Sequence, residues 1–282
     1  MTAQTIRDQT VILRPSVVGR STQAYIGFEE ERLVKVAAYN GRSGTGTGFL
    51  GVFNCRKEGV TEVVSVGEFL GVEEFREGVV VRSHRSGACS GVLKGRGADA
   101  DVFAVQVDGH GCDVLSASPV YIAHGLSRGL QVANLGLLGK MTGGAAVLET
   151  KYTVRLASAS DDQLDAGSAD EATTKAIAAQ TQGRDSLVIK TSLKALGTLG
   201  LWLNLANGAT PPKKAIDIDE DVMVLLEGRA LPRGCVSFET QAETQAANDA
   251  RVLQIDLAQA WKEMGLKAGY ANEVDVAVYV WV

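Results

Sequence analysis

The chain has 282 residues, 45% of them apolar and 22% charged, a globular balance with length for one large or two ordinary cores. A formal net charge of −5, with basic runs no longer than Arg56-Lys57 and Lys213-Lys214, excludes a protein that grips many phosphates through clustered Lys and Arg. No apolar run approaches the roughly 20 residues that span a bilayer, and MTAQTIRDQTVILRP lacks the apolar stretch of a secretory signal.

Residues 1–150 read as a glycine-rich β region. ERLVKVAAYN and TGFLGVFNC are predicted to pair as a hairpin around GRSGTGTGFLG, residues 41 to 51, where five glycines supply backbone shapes that other residues resist. That stretch is expected to be a mobile connection. GVTEVVSVGEFLG and REGVVVRSHRSG are short β-branched runs closed by glycine. Phe103, Val105 and Val107 alternate with Ala104 and Gln106 before the turn signal Asp108-Gly109. Residues 124–146 show no clean period and carry several glycines, which predicts a loop-rich, partly buried connection.

Residues 151–282 read as a second β region, with helices near 169–181 and 248–264; the two regions form two domains or a single one. KYTVRLASAS is a predicted strand with Tyr152, Val154 and Leu156 on one face. Ser168 and Glu171 have capping-box spacing, but Ala172, Ala176 and Ala179 with Ile177 make a stripe too weak to anchor a helix firmly in a core. Leu187, Ile189, Thr191 and Leu193 alternate, as do Leu201, Leu203 and Leu205, and AIDIDEDVMVLLEG reads as a strand pair or one long strand. After residue 239 the pattern fits both periods. Leu253, Leu257, Trp261 and Met264 make a helical stripe, starting at about 248 or 256 and ended by Gly265, whereas Leu253, Ile255 and Leu257 make a strand. The last residues, EVDVAVYVWV, alternate most cleanly, which places them in the centre of a sheet or under a neighbouring chain. The fold class is therefore mainly β (α+β), an antiparallel sandwich or barrel with one or two helices.

Phosphate-binding loops fail on their spacing. Gly41 and Gly46 match the first and last glycines of a P-loop, but Thr47 and Gly48 follow where lysine and a hydroxyl residue are needed. Gly44, Gly46 and Gly48 form G-x-G-x-G and run on into a strand, not a helix. Residues 46–50, GTGFL, resemble an early strand of trypsin-like serine proteases. That resemblance implies a histidine in an alanine-rich turn soon afterwards and a G-x-S-G nucleophile. Here the next alanine-flanked histidine is the distant His124, and no G-x-S-G occurs.

Other candidate chemistry is local. DGHGCD sets His110 near Cys112 and Asp113, as in a metal site or Cys-His pair, or simply in a hairpin turn. The candidate catalytic residues are His110, Asp113 and His124, with Ser116 or Ser127 as a hydrolase nucleophile. DIDED resembles the start of a calcium loop without its glycine and distal glutamate, so a solvated turn is expected. The four cysteines, at 55, 89, 112 and 235, have no metal or redox spacing and are read as buried thiols. No cofactor or metal is expected.

What these features favour is a structural, self-assembling protein, most concretely a virus or bacteriophage particle subunit of tail tube or shell, located in the virion or cytoplasm. Its partners would be copies of itself and other particle proteins, with no sequence-specific nucleic acid and no membrane. The supports are the terminal strand, the polar Ala/Thr/Gln/Ser segments at 158–184 and 239–250, and the small-residue, low-lysine composition. The alternatives are a β-scaffold hydrolase with a His/Asp/Ser site, and a β-sandwich binding module using Trp202, Tyr270, Tyr279 and Trp281 as ligand platforms.

Overall fold

The computed structural model describes residues 33–40, 46–72, 75–95, 100–126, 129–157, 171–181, 183–205, 215–239, 250–266 and 273–282. The fold is mainly β, with antiparallel pairing throughout the described registers and three helices among the described residues. The chain divides into two compact units, one of residues 1–120 with 133–146, the other of 121–132 with 147–282.

In the first unit the predicted hairpin forms: β1 (Val34–Asn40) pairs with β2 (Thr47–Phe53), from Val34 opposite Phe53 to Asn40 opposite Thr47. Residues 41–45 of the glycine stretch lie outside the described residues. Next come β3 (Val60–Ser65), β4 (Val79–Ser83), β5 (Cys89–Leu93) and β6 (Val102–Val107). The long β7 (Cys112–Ala123) is the pivot, pairing with β2 through Cys112–Ala117 and with β4 through Leu115–Pro119. β5 pairs with β4, and β3 and β6 form a separate two-stranded ribbon. Alternation along these strands points Leu50, Val52, Val64, Val79, Leu115 and Ala117 into one core, together with Phe69.

Residues 124–146 are not the loop that the missing period predicts. They contain β8 (Leu130–Leu138), in which Val132, Ala133, Leu135 and Leu137 are all buried. A strand covered on both faces has no polar side and so no period of two. Its glycine is a fitting device. Gly136 has φ +73°, and a Cβ there would stand 2.4 Å from the Gly143 carbonyl oxygen.

In the second unit, a five-stranded sheet has the order β13 (Arg229–Ala230), β12 (Val222–Leu226), β16 (Val274–Trp281), β10 (Ser186–Leu193), β9 (Val147–Arg155). The terminal valine strand is thus central, of the two placements expected for it. Val276, Val278 and Val280 line one face, while Tyr279 and Trp281 are buried on the other. The hairpin from β12 to β13 turns through Glu227 and Gly228, both at positive φ, as a two-residue loop requires. A second group holds β11 (Thr198–Leu205), β15 (Arg251–Asp256) and β14 (Val236–Phe238) side by side.

One helix forms where it was expected, and two further readings are corrected in part. The helix α1 (Glu171–Thr181) forms, and one residue anchors it despite the weak stripe: Ile177 is fully buried against Val188, Leu225, Tyr279 and Trp281. DIDED is not a strand. Its core is α2 (Ile218–Asp221), capped by the Asp217 carboxylate, which accepts from Asp219 N at 2.9 Å. Of the two starts read for the last helix, 248 is corrected and 256 stands, because Val252, Leu253 and Ile255 are buried between β11 and β14 as β15. Only α3 (Leu257–Glu263) coils, started by the Asp256 cap on Gln259 N and ended at Gly265 with φ +61°. No described helix is long and apolar enough to cross a membrane.

Candidate functional site

The histidine turn is built by a buried asparagine. Asn54 is 3% exposed; its Nδ2 donates to the carbonyls of Glu58 (2.7 Å), Val107 (3.1 Å) and Asp108 (3.1 Å). Its Oδ1 accepts from Arg56 N at 2.9 Å. These bonds clamp the loop after β2 onto the turn between β6 and β7, so tightly that a Cβ at Gly109 would meet the Lys57 carbonyl oxygen at 1.7 Å. His110 sits at its tip with φ +53°, its N–H bound to Arg56 O and its ring exposed.

Asp113 faces other partners. Its Oδ2 accepts from Ser83 Oγ at 2.5 Å, and its Oδ1 from the backbone N–H groups of Arg85 (2.9 Å) and Val114 (2.7 Å). Ser86 Oγ donates to Ser83 Oγ at 2.9 Å, so the hydroxyl chain ends on the carboxylate. No signal in the local sequence announces this network; the β4–β7 register creates it by placing Ser83 opposite Leu115. It closes the turn after β4, and no imidazole stands between hydroxyl and carboxylate as nucleophile activation requires. No hydrogen bond joins His110 to Asp113. Ser116 Oγ donates to the Arg82 carbonyl at 3.5 Å, His124 is exposed in the turn after β7, and Ser127 lies outside the described residues.

The remaining candidates fold into the scaffold. Asp221, at the end of DIDED, accepts from Asp217 N at 2.8 Å and pairs with Arg184, and the described residues hold no group of three or more metal-ligating side chains. Trp202, Tyr279 and Trp281 are each 1% exposed and pack as core rather than as platforms, while Tyr270 lies outside the described residues. All four cysteines are free thiols, but not all are buried: Cys55 and Cys112 are exposed and Cys89 half-buried. Cys235 is the buried one, and burial, with the charges of Glu263 and Asp256, pushes its thiol above the ordinary range.

Among the described residues, one side of the five-stranded sheet is only partly covered. α1 covers the end nearest Trp281, leaving a cavity of about 270 Å³ over Glu149, Lys151, Lys190, Ser192 and Asp275, with Tyr279 at its wall. Ser192 Oγ donates to Asp275 at 2.5 Å and Lys151 bridges to Glu149 at 3.0 Å, so the floor balances its own charges. Beyond the cavity, β9 ends the strand order with no described strand outside it. Along β9, Glu149, Lys151, Thr153 and Arg155 share the cavity face. Tyr152, on the opposite face, stacks on Tyr121 at 4.3 Å. Leu148 and Leu156, at the two ends, are 38% and 42% exposed.

No protein-family model matches the chain, and no curated protein sequence matches it.

Proposed function

We propose that this protein is a structural, self-assembling subunit, most concretely a tail-tube or shell component of a virus or bacteriophage particle. The observation that carries the reading is β9, an edge strand irregular only at its start and in regular register from Glu149 to Arg155, with exposed Leu148 at the irregularity and exposed Leu156 just past its end. A long edge presents backbone donors and acceptors to any strand that approaches, and a protein acting as a monomer ordinarily shortens, bulges or covers such an edge. The net charge of −5 favours a tube or outer layer over a lining that grips nucleic acid. The partners are copies of the chain and other particle proteins, in a virion or in the cytoplasm where it is assembled. Size-exclusion chromatography over a concentration series, followed by negative-stain microscopy, tests this. Rings, tubes or shells are the expected result; a monodisperse monomer at every concentration overturns it.

A further inference from the structure

The geometry points to a particular contact within that assembly: two copies join antiparallel along β9, with the two-fold axis through Tyr152. This rests on the self-assembly reading and names its partner as a second copy of the chain. The argument is one of charge and register. On the cavity face, β9 carries an acid at its start (Glu149) and cations further along (Lys151, Arg155). A parallel copy would set like against like, whereas an antiparallel copy brings the acidic end of each strand to the basic end of the other.

Four registers compete. A two-fold through Tyr152 sets Glu149 opposite the partner's Arg155 and Lys151 opposite the partner's Thr153, and brings Leu148, at the irregular start of the strand, near the partner's Leu156, just past its end. Each of these pairs occurs twice by symmetry. It aligns the whole regular stretch from Glu149 to Arg155 with its own copy and extends five strands to ten. A two-fold through Lys151 puts that lysine on its own copy, a like-charge contact that disfavours the register. A two-fold through Thr150 pairs Glu149 with the partner's Lys151 but runs Arg155 past the end of the partner strand. A shift by a single residue faces charges against the apolar side. Lys151 thus acts as a register selector on an otherwise adhesive edge.

Two sets of variants in the full-length chain test the contact. Glu149→Lys replaces both ion pairs by like-charge contacts and is expected to raise the dimer dissociation constant at least about tenfold in sedimentation or light scattering. Glu149→Arg combined with Arg155→Glu swaps the charges and is expected to restore association. For the register, Leu148→Cys with Leu156→Cys, in a background with Cys55→Ser and Cys112→Ser, is treated with a short thiol-to-thiol cross-linker. Peptide mapping is expected to find position 148 joined to position 156 of the other copy. Circular dichroism checks that each variant folds. If particles still form while the charge variants change nothing and no such cross-link appears, this contact is wrong and the assembly reading stands. If the unmodified chain never associates, both fall.

Discussion

Two edge strands of similar length, β1 and β9, show how differently a sheet can end. At β1 the chain secures its own border. Lys35 Nζ lies 2.6 Å from Glu62 and 2.7 Å from Glu68, and the other Glu62 oxygen accepts from Leu33 N at 2.6 Å. The three side chains are 16%, 14% and 27% exposed, so the cluster is a partly desolvated clasp that ties the edge to β3 and the turn after it. At β9, Glu149 and Lys151 are 53% and 67% exposed and bridge each other along one strand, while half-buried Arg155 lies over the Tyr279 ring at 5.9 Å. Charge at β1 therefore holds the fold, whereas the exposed pair at β9 contributes little to it.

The largest effect expected comes from removing the platform that presents β9. Trp281→Ala empties a fully buried site against Ile177 and Tyr279 in the strand between β10 and β12, and a loss of about 3–5 kcal/mol is expected in urea unfolding. A cost near zero would mean that β9 does not depend on that sheet's core. Next is the clasp. Lys35→Met leaves Glu62 and Glu68 facing each other without a cation and is expected to cost about 2 kcal/mol at neutral pH.

That cost has a pH signature. Burial pulls the Lys35 pKa down, but hydrogen bonds and attraction from Glu62 and Glu68 outweigh it and leave it above the ordinary 10.5. A folded-state value above the unfolded one makes the stabilisation complete below 10.5 and removes it as pH rises through the higher folded value. The stability gap between Lys35→Met and the unmodified protein is thus expected to close in alkali. A gap unchanged between neutral pH and strong alkali would refute the clasp. The smallest effect belongs to β9: Glu149→Ala is expected to alter the unfolding free energy of the isolated chain by no more than about 0.5 kcal/mol. A larger change would make β9 a held edge like β1 and erase the contrast.

Legibility in the sequence followed burial geometry. Strands with one covered face, such as β6, announced themselves by alternation. β16 did so although both its faces are buried, because valine on one side and mixed residues on the other preserved a period of two. β8 stayed hidden because apolar residues on both faces blur that period, and β15 was legible only as one of two readings because its apolar residues fit a helical stripe as well. The helix α1 was placed within two residues by its cap spacing, yet its anchorage was underrated, since a single isoleucine in a tryptophan–tyrosine pocket leaves almost no amphipathic signal. Asn54 and the Ser83–Asp113 pair were invisible, because their meaning lies in partners 30 or more positions away.

By itself, then, the sequence determined the β-rich class, the hairpin around the glycine stretch and the β9 pattern of acid followed by cations, since each is written in local periodicity, turn chemistry and residue order. The tertiary structure alone decided that the final strand is central while β9 is terminal. Strand order depends on which strands meet across long separations, and a strand's own residues read much the same at the middle of a sheet as at its border.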